Sequence, residues 1–138
     1  MSSELNQQLR FSIQKLSRRI RSNSANEALS EAQRSVLYTL ANHGPQSLGS
    51  LSDHEQVTSP SMNRTVKGLV NAGLVSSNCA DDDARRLVID LTEAGREFIA
   101  ETRRKRDAWF STQIAKLNAE QQRILDLAAP IFKELADN

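Results

Sequence analysis

Between positions 74 and 91 the apolar pattern changes period, and that change restricts the chain to few folds. The segments LVSSNCA and RLVID are short, flank a polar DDDA turn, and read as an antiparallel hairpin. In the second of them Leu87, Ile89 and Leu91 alternate with Val88 and Asp90, so one face is apolar and the other mixed. The segments on either side read as helices. The expected order is four helices, the hairpin, and two further helices.

Local signals place each helix. Leu5, Leu9, Ile13, Leu16 and Ile20 form one stripe, with Arg10, Arg18 and Arg21 opposite it. SNSANEA (22–28) then reads as a break. Ser30 is a candidate cap for a second helix with Val36, Leu37, Leu40 and Ala41 on its inner face, and HGP (43–45) ends it. Ser47 caps a short third helix. Ser59 followed by Pro60 opens a fourth, since proline suits the first helical turn, and Gly73 closes it. Thr92 caps a long helix expected to reach about position 117, and Asn118 caps the last, striped by Ile124, Leu127, Ala128, Ile131 and Leu135.

Composition excludes the main alternatives. Aromatics at 4%, three prolines and five glycines favour a mainly helical chain over a sandwich or barrel. A length of 138 residues fits one compact domain able to bury roughly two-thirds of its unfolded surface. One cysteine, Cys79, rules out an internal disulfide. The first residues lack a signal peptide's apolar segment, and no run approaches the roughly 20 apolar residues of a membrane span, so the cytoplasm is the expected location. No nucleophile, base and orienting group are arranged for catalysis, so no enzyme is expected.

Three short helices followed by a two-stranded hairpin is the order of a winged helix-turn-helix, with the fourth helix of this chain as the reading helix. At 100° per residue, Met62, Val66, Leu69 and Val70 cluster and are expected to pack inward. Arg64, Lys67, Gly68 and Asn71 land on the far side, with Ser61 and Asn63 flanking. No acidic residue occurs in 56–80, and the net charge of +1 hides this local basic face. Arginine and asparagine are the side chains suited to two-point contacts with guanine and adenine in the major groove. An ordinary amphipathic helix with a solvated face shows the same periodicity, so the pattern by itself leaves both readings open.

The ordered motifs carry further. LSEAQRSVL, LGSLS, VTSPSMNRTVKGL, NAGLV, the D-A-R at the hairpin tip and LTEAGR occur in this order between Leu29 and Gly95, in a register that runs without a gap. In this order they resemble the MarR family of bacterial transcription regulators. The resemblance implies a homodimer that binds pseudo-palindromic double-stranded operators. It implies a repressor released by a small molecule, often a phenol or other organic anion. By position it assigns DNA contact to Thr58, Ser59, Ser61, Asn63, Arg64 and Lys67, and to Asp83, Arg85 and Arg86 of the wing, Asp83 buttressing Arg85. Lys67 stands where many members carry an acid, and Gly68 where many carry a long basic residue. Glu55 and Gln56 replace a more usual apolar residue and glycine.

Three segments are therefore expected within one compact domain: 1–28, 29–95 as the DNA-binding lobe, and 96–138. The stripes of the terminal helices have no obvious partner inside a lobe of about 65 residues; they can pack on one another or across a two-fold axis, and the resemblance implies the latter. Arg18, Tyr38, His43 and Trp109 are the candidate effector-binding residues. His43 and His54 do not show zinc-site spacing, the DDD triplet lacks the rest of a calcium loop, and no metal or cofactor is expected. The competing reading is a winged-helix protein-interaction module that does not bind DNA.

Overall fold

The computed structural model describes residues 1–23 and 28–138. Much of the expected break at 22–28 lies outside the described residues. The helices are α1 (Ser3–Ser22), α2 (Glu31–His43), α3 (Leu48–Glu55), α4 (Ser59–Asn71), α5 (Glu93–Ala115) and α6 (Ala119–Asp137). The strands are β1 (Gln46–Ser47), β2 (Val75–Cys79) and β3 (Leu87–Leu91), an antiparallel sheet in the order β1-β3-β2. The chain is mainly α with a small hairpin wing, as expected. It divides into two compact units, Ala25–Arg103 and the combined termini Met1–Ser24 and Arg104–Asn138.

In the first unit, the lobe, short-range hydrogen bonds set most boundaries. Ser30 and Gln33 form a reciprocal cap on α2: the Gln33 amide donates to Ser30 Oγ at 3.1 Å and the Ser30 amide to Gln33 Oε1 at 2.9 Å. Gly44, at φ 78°, stops the helix. Val36, Leu37 and Leu40 are buried as expected, but Ala41 is exposed and Thr39 is buried instead. The α4 cap is Thr58, one residue earlier than expected, whose hydroxyl accepts from the Ser61 amide at 3.3 Å. Ser59 is then the first helical residue, and Pro60 still falls in the turn where no intrahelical donor is needed.

The core joins these elements. Leu37, Leu40, Leu51, Met62, Leu69 and Ile89 are almost wholly excluded from water, each stabilising the fold by roughly 1.5–3 kcal/mol relative to exposure. Val75 pairs with Leu91 and Ser77 with Ile89, so the hairpin's apolar face closes over α2 and α4. Leu87, nearer the tip, is 43% exposed: the alternation runs past the end of the core.

A tight junction ties the hairpin to α5. Thr92 Oγ1 accepts from the Gly95 amide at 3.1 Å and donates to the Gly73 carbonyl at 2.6 Å. The Thr92 amide donates to the Leu74 carbonyl at 3.1 Å. Gly95 lies directly against that same carbonyl, and a Cβ there would collide with the Leu74 oxygen.

In the second unit, neither α1 nor α6 buries a residue. Asn118 and Gln121 form a reciprocal cap on α6. Leu5, Leu9, Ile13 and Leu16 on α1 are exposed, as are Ile124, Leu127, Ile131 and Leu135 on α6, the last four each by more than half.

Candidate nucleic-acid interface

The candidate reading helix α4 follows α3 through a turn that glycine does not make. Gln56 adopts φ 56°, ψ 45°, the left-handed region, and among the described residues it is the one non-glycine with positive φ. Such a conformation persists only where neighbours hold it. Glu55, immediately before it, supplies the hold. Ser35 Oγ donates to Glu55 Oε2 at 2.8 Å and Thr39 Oγ1 donates to Glu55 Oε1 at 3.1 Å. The half-buried carboxylate thus fastens the end of α3 to the side of α2, replacing apolar packing with charge-assisted hydrogen bonds.

The face that α4 turns outward differs from the expected one. Val70, expected inside, is 39% exposed, whereas Gly68, expected outside, abuts the Gln33 side chain of α2. Ser61 and Thr65 are half-buried on the same side as Gly68. The buried arc is rotated toward α2, because α2 approaches most closely where α4 has no Cβ. Asn63, Arg64, Lys67, Val70 and Asn71 form the exposed arc, with Thr58 and Ser59 exposed at its beginning. Among the described residues the side chains of Asn63, Arg64, Lys67 and Asn71 make no hydrogen bond or ion pair, so no described group competes for them.

The wing tip brings together the residues that the motif singled out. Asp83 Oδ1 accepts from the Arg85 backbone amide at 3.0 Å and lies 3.5 Å from Arg85 Nε. Asp83 therefore holds the turn more firmly than it holds the guanidinium, and the Arg85 side chain is 93% exposed. Arg86 is engaged differently: its Nη2 donates to Asp82 Oδ1 at 2.8 Å. That hydrogen bond, with the attraction of the same guanidinium, lowers the Asp82 pKa below its ordinary 3.8. The sign follows directly. The pair is intact at neutral pH and is lost only as pH falls through the lowered value, so it does not vary across the physiological range.

Asp82 thus occupies the second wing arginine, a role that sequence order alone did not reveal. Replacing Asp82 with asparagine should free the Arg86 guanidinium and tighten binding to any duplex. The log–log salt slope should steepen by about one phosphate contact. An unchanged slope in an anisotropy titration would leave Asp82 as a plain turn residue.

The four effector candidates divide between the units. Trp109 and Arg18 belong to the terminal unit, where Arg19 rather than Arg18 lies over the Trp109 ring at 5.1 Å. Tyr38 packs against the lobe core, and His43 is exposed at the end of α2. None of them lines a cleft of about 380 Å³ within the lobe, formed by α2, β3 and α5. Leu40, Leu91 and Ile99 line that cleft together with Arg96 and Arg103. Arg96 is held by the Leu91 carbonyl at 3.0 Å, while Arg103 has no polar partner among the described residues. Sequence reading missed this cleft because its residues are spread over three elements.

Residues 29–87 match the model of the MarR family. A transcriptional regulator of the HTH type from Mycobacterium bovis is 33% identical over 129 residues, 94% of this chain and 90% of the relative. One from Mycobacterium tuberculosis has the same identity and coverage. Among solved structures, a transcriptional regulator from Thermotoga maritima superposes with a TM-score of 0.84 at 20% identity, covering 96% of each chain. A mutant of MepR from S. aureus, bound to an oligodeoxyribonucleotide, superposes with a TM-score of 0.75 at 18% identity, again over 96% of each chain.

Proposed function

Because this chain belongs to the MarR family of transcription regulators, we propose that it is a sequence-specific double-stranded DNA-binding repressor. It acts as a cytoplasmic homodimer on pseudo-palindromic operators and is released by a small organic anion or phenol. The exposed arc of α4 carries this reading: four polar or basic side chains without internal partners, on a helix with no acidic residue. Arg64 and Asn63 are suited to base edges and Lys67 to phosphate. The Arg85 guanidinium at the wing tip, 93% exposed and held only at its Nε by Asp83, supplies a second contact beyond the groove.

The exposed apolar residues of α1 and α6 support the dimer. Single exposed leucines are common, but two helices with stripes of them call for a covering surface. A second copy would cover both stripes and set two reading helices roughly 34 Å apart, one turn of DNA. The lobe cleft supports an anionic effector, since Leu40, Leu91 and Ile99 line it beside Arg103, while its one acidic neighbour, Asp90, lies 3.9 Å from Arg96.

Fluorescence anisotropy on duplex DNA tests the central claim. Affinity for a genomic fragment selected by the protein should exceed that for random duplex, and both should fall steeply with salt, by about 0.9 in log–log slope per neutralised phosphate. Salt-insensitive or absent binding to every duplex would favour the protein-interaction module instead. Light scattering at the same concentrations should give the mass of two chains.

A further inference from the structure

The chain contains two histidines, His43 and His54, and the fold brings them together. His43 is the last residue of α2 and His54 lies in the last turn of α3. Their ring centroids are 5.4 Å apart with the planes at 60°. Both side chains are exposed, and among the described residues no imidazole nitrogen of either has a hydrogen-bond partner. An exposed ring pair crossed at this angle contributes little apolar burial, so packing gives only a weak account of it.

We propose that His43 and His54 form a two-imidazole site for an exchangeable divalent transition metal ion such as Zn²⁺. Three observations carry it. The first is distance. With metal–nitrogen bonds of about 2.0–2.1 Å and each ring centre roughly 1.2 Å behind its nitrogen, two imidazoles at a tetrahedral angle hold their centres ~5.3 Å apart. The observed centroid separation of 5.4 Å meets that requirement. The second is charge: the carboxyl ends of two helices converge here, and each presents partial negative charge that favours a cation. The third is availability, because the unbonded ring nitrogens face no internal competition.

Donor chemistry narrows the ion. Neutral imidazole suits borderline metals such as Zn²⁺, Ni²⁺ and Cu²⁺ and discriminates against Mg²⁺ and Ca²⁺, which take oxygen ligands. Among the described residues no group of three histidine, cysteine or acidic side chains is placed to hold an ion. Water therefore fills the remaining positions, and binding is reversible rather than structural. An ion here would tie the end of α2 to the end of α3, just before the Gln56 turn into α4, and stabilise the lobe in proportion to its occupancy.

The test uses the untagged full chain in a Cys79→Ser background, which removes the one thiol that could compete. Zinc chloride is titrated near neutral pH while the two imidazole proton spectra are followed, with magnesium chloride in parallel. Both imidazoles should shift together and saturate at one zinc per chain, and the thermal midpoint should rise. His43→Ala and His54→Ala alter exposed side chains only, and circular dichroism checks that each variant folds. Each should leave the remaining imidazole unshifted and abolish the rise in midpoint. Independent shifts of the two rings, an equal response to magnesium, or a midpoint rise that survives in both variants would overturn the site. None of these readouts involves DNA, so the outcome is separate from that of the regulator reading.

Discussion

Replacing Gly95 with alanine should destabilise the lobe by about 2–3 kcal/mol, a fall in thermal midpoint of roughly 10 °C. Helix propensity alone predicts the reverse, since alanine in a helix is favoured over glycine by about 1 kcal/mol. The contact decides the sign. An added Cβ meets the Leu74 carbonyl oxygen, with the Leu74 carbonyl carbon at 3.1 Å and Leu91 Cδ2 at 3.2 Å. The carbonyl cannot yield easily, because it accepts from the Thr92 amide at 3.1 Å and the Thr92 hydroxyl is bonded to Gly73. Gly49 is the internal control: a Cβ there meets nothing within 4 Å. Gly49→Ala should therefore be neutral or stabilising by up to about 1 kcal/mol. Urea unfolding of the two variants separates contact from propensity, and equal effects would refute the assignment of Gly95 to close packing.

The second large effect concerns DNA. Arg64→Ala should weaken binding to a selected operator by about 1–3 kcal/mol, roughly 5- to 150-fold, while barely changing affinity for random duplex. Arg85→Ala should instead weaken both about equally and lower the salt slope by about one, as expected for a phosphate contact. Neither change should cost much stability. Arg64 has no internal partner, and Asp83 keeps the backbone amide of residue 85 when the side chain is removed. Anisotropy titrations on the two duplexes at several salt concentrations read both effects. If the two variants lose affinity equally on every sequence, the division between base reading and phosphate contact is wrong.

Much of the fold could be read from local signals because the deciding interactions span three to five residues. Ser30 with Gln33, Ser47 with Ser50 and Asn118 with Gln121 are caps whose donor and acceptor sit within one turn. Gly44 and Gly73 stop their helices through positive φ, a property of the residue itself. The hairpin followed from its two-residue alternation and polar turn. Strand β1 could not be read in this way: two residues carry no period, and Gln46 and Ser47 become a strand only because β3 offers them an edge.

The candidate interface was legible in its parts but not in its orientation. Periodicity found an apolar arc on α4 but placed Val70 inside and Gly68 outside, and the side from which α2 approaches reversed them. Glu55 and Gln56 stood out in the sequence as unusual residues at a turn. Why both are tolerated became clear only when Ser35 and Thr39, sixteen or more residues away, were found on the Glu55 carboxylate. Asp82 shows the same limit at short range, since its pairing with Arg86 depends on the path of the tip between them.

By itself, then, the sequence determined the order of the helices and the hairpin, most of their caps and stops, and the chemical character of the fourth helix and the wing. Each of these depends on groups a few bonds apart along the chain or on the intrinsic preference of one residue. The tertiary structure decided which face α4 presents, how the turn before it is held, and why position 95 has room for no side chain. It also decided that two histidines eleven positions apart share one surface. Those outcomes depend on distances between elements set by packing the whole lobe, which no local pattern along the chain encodes.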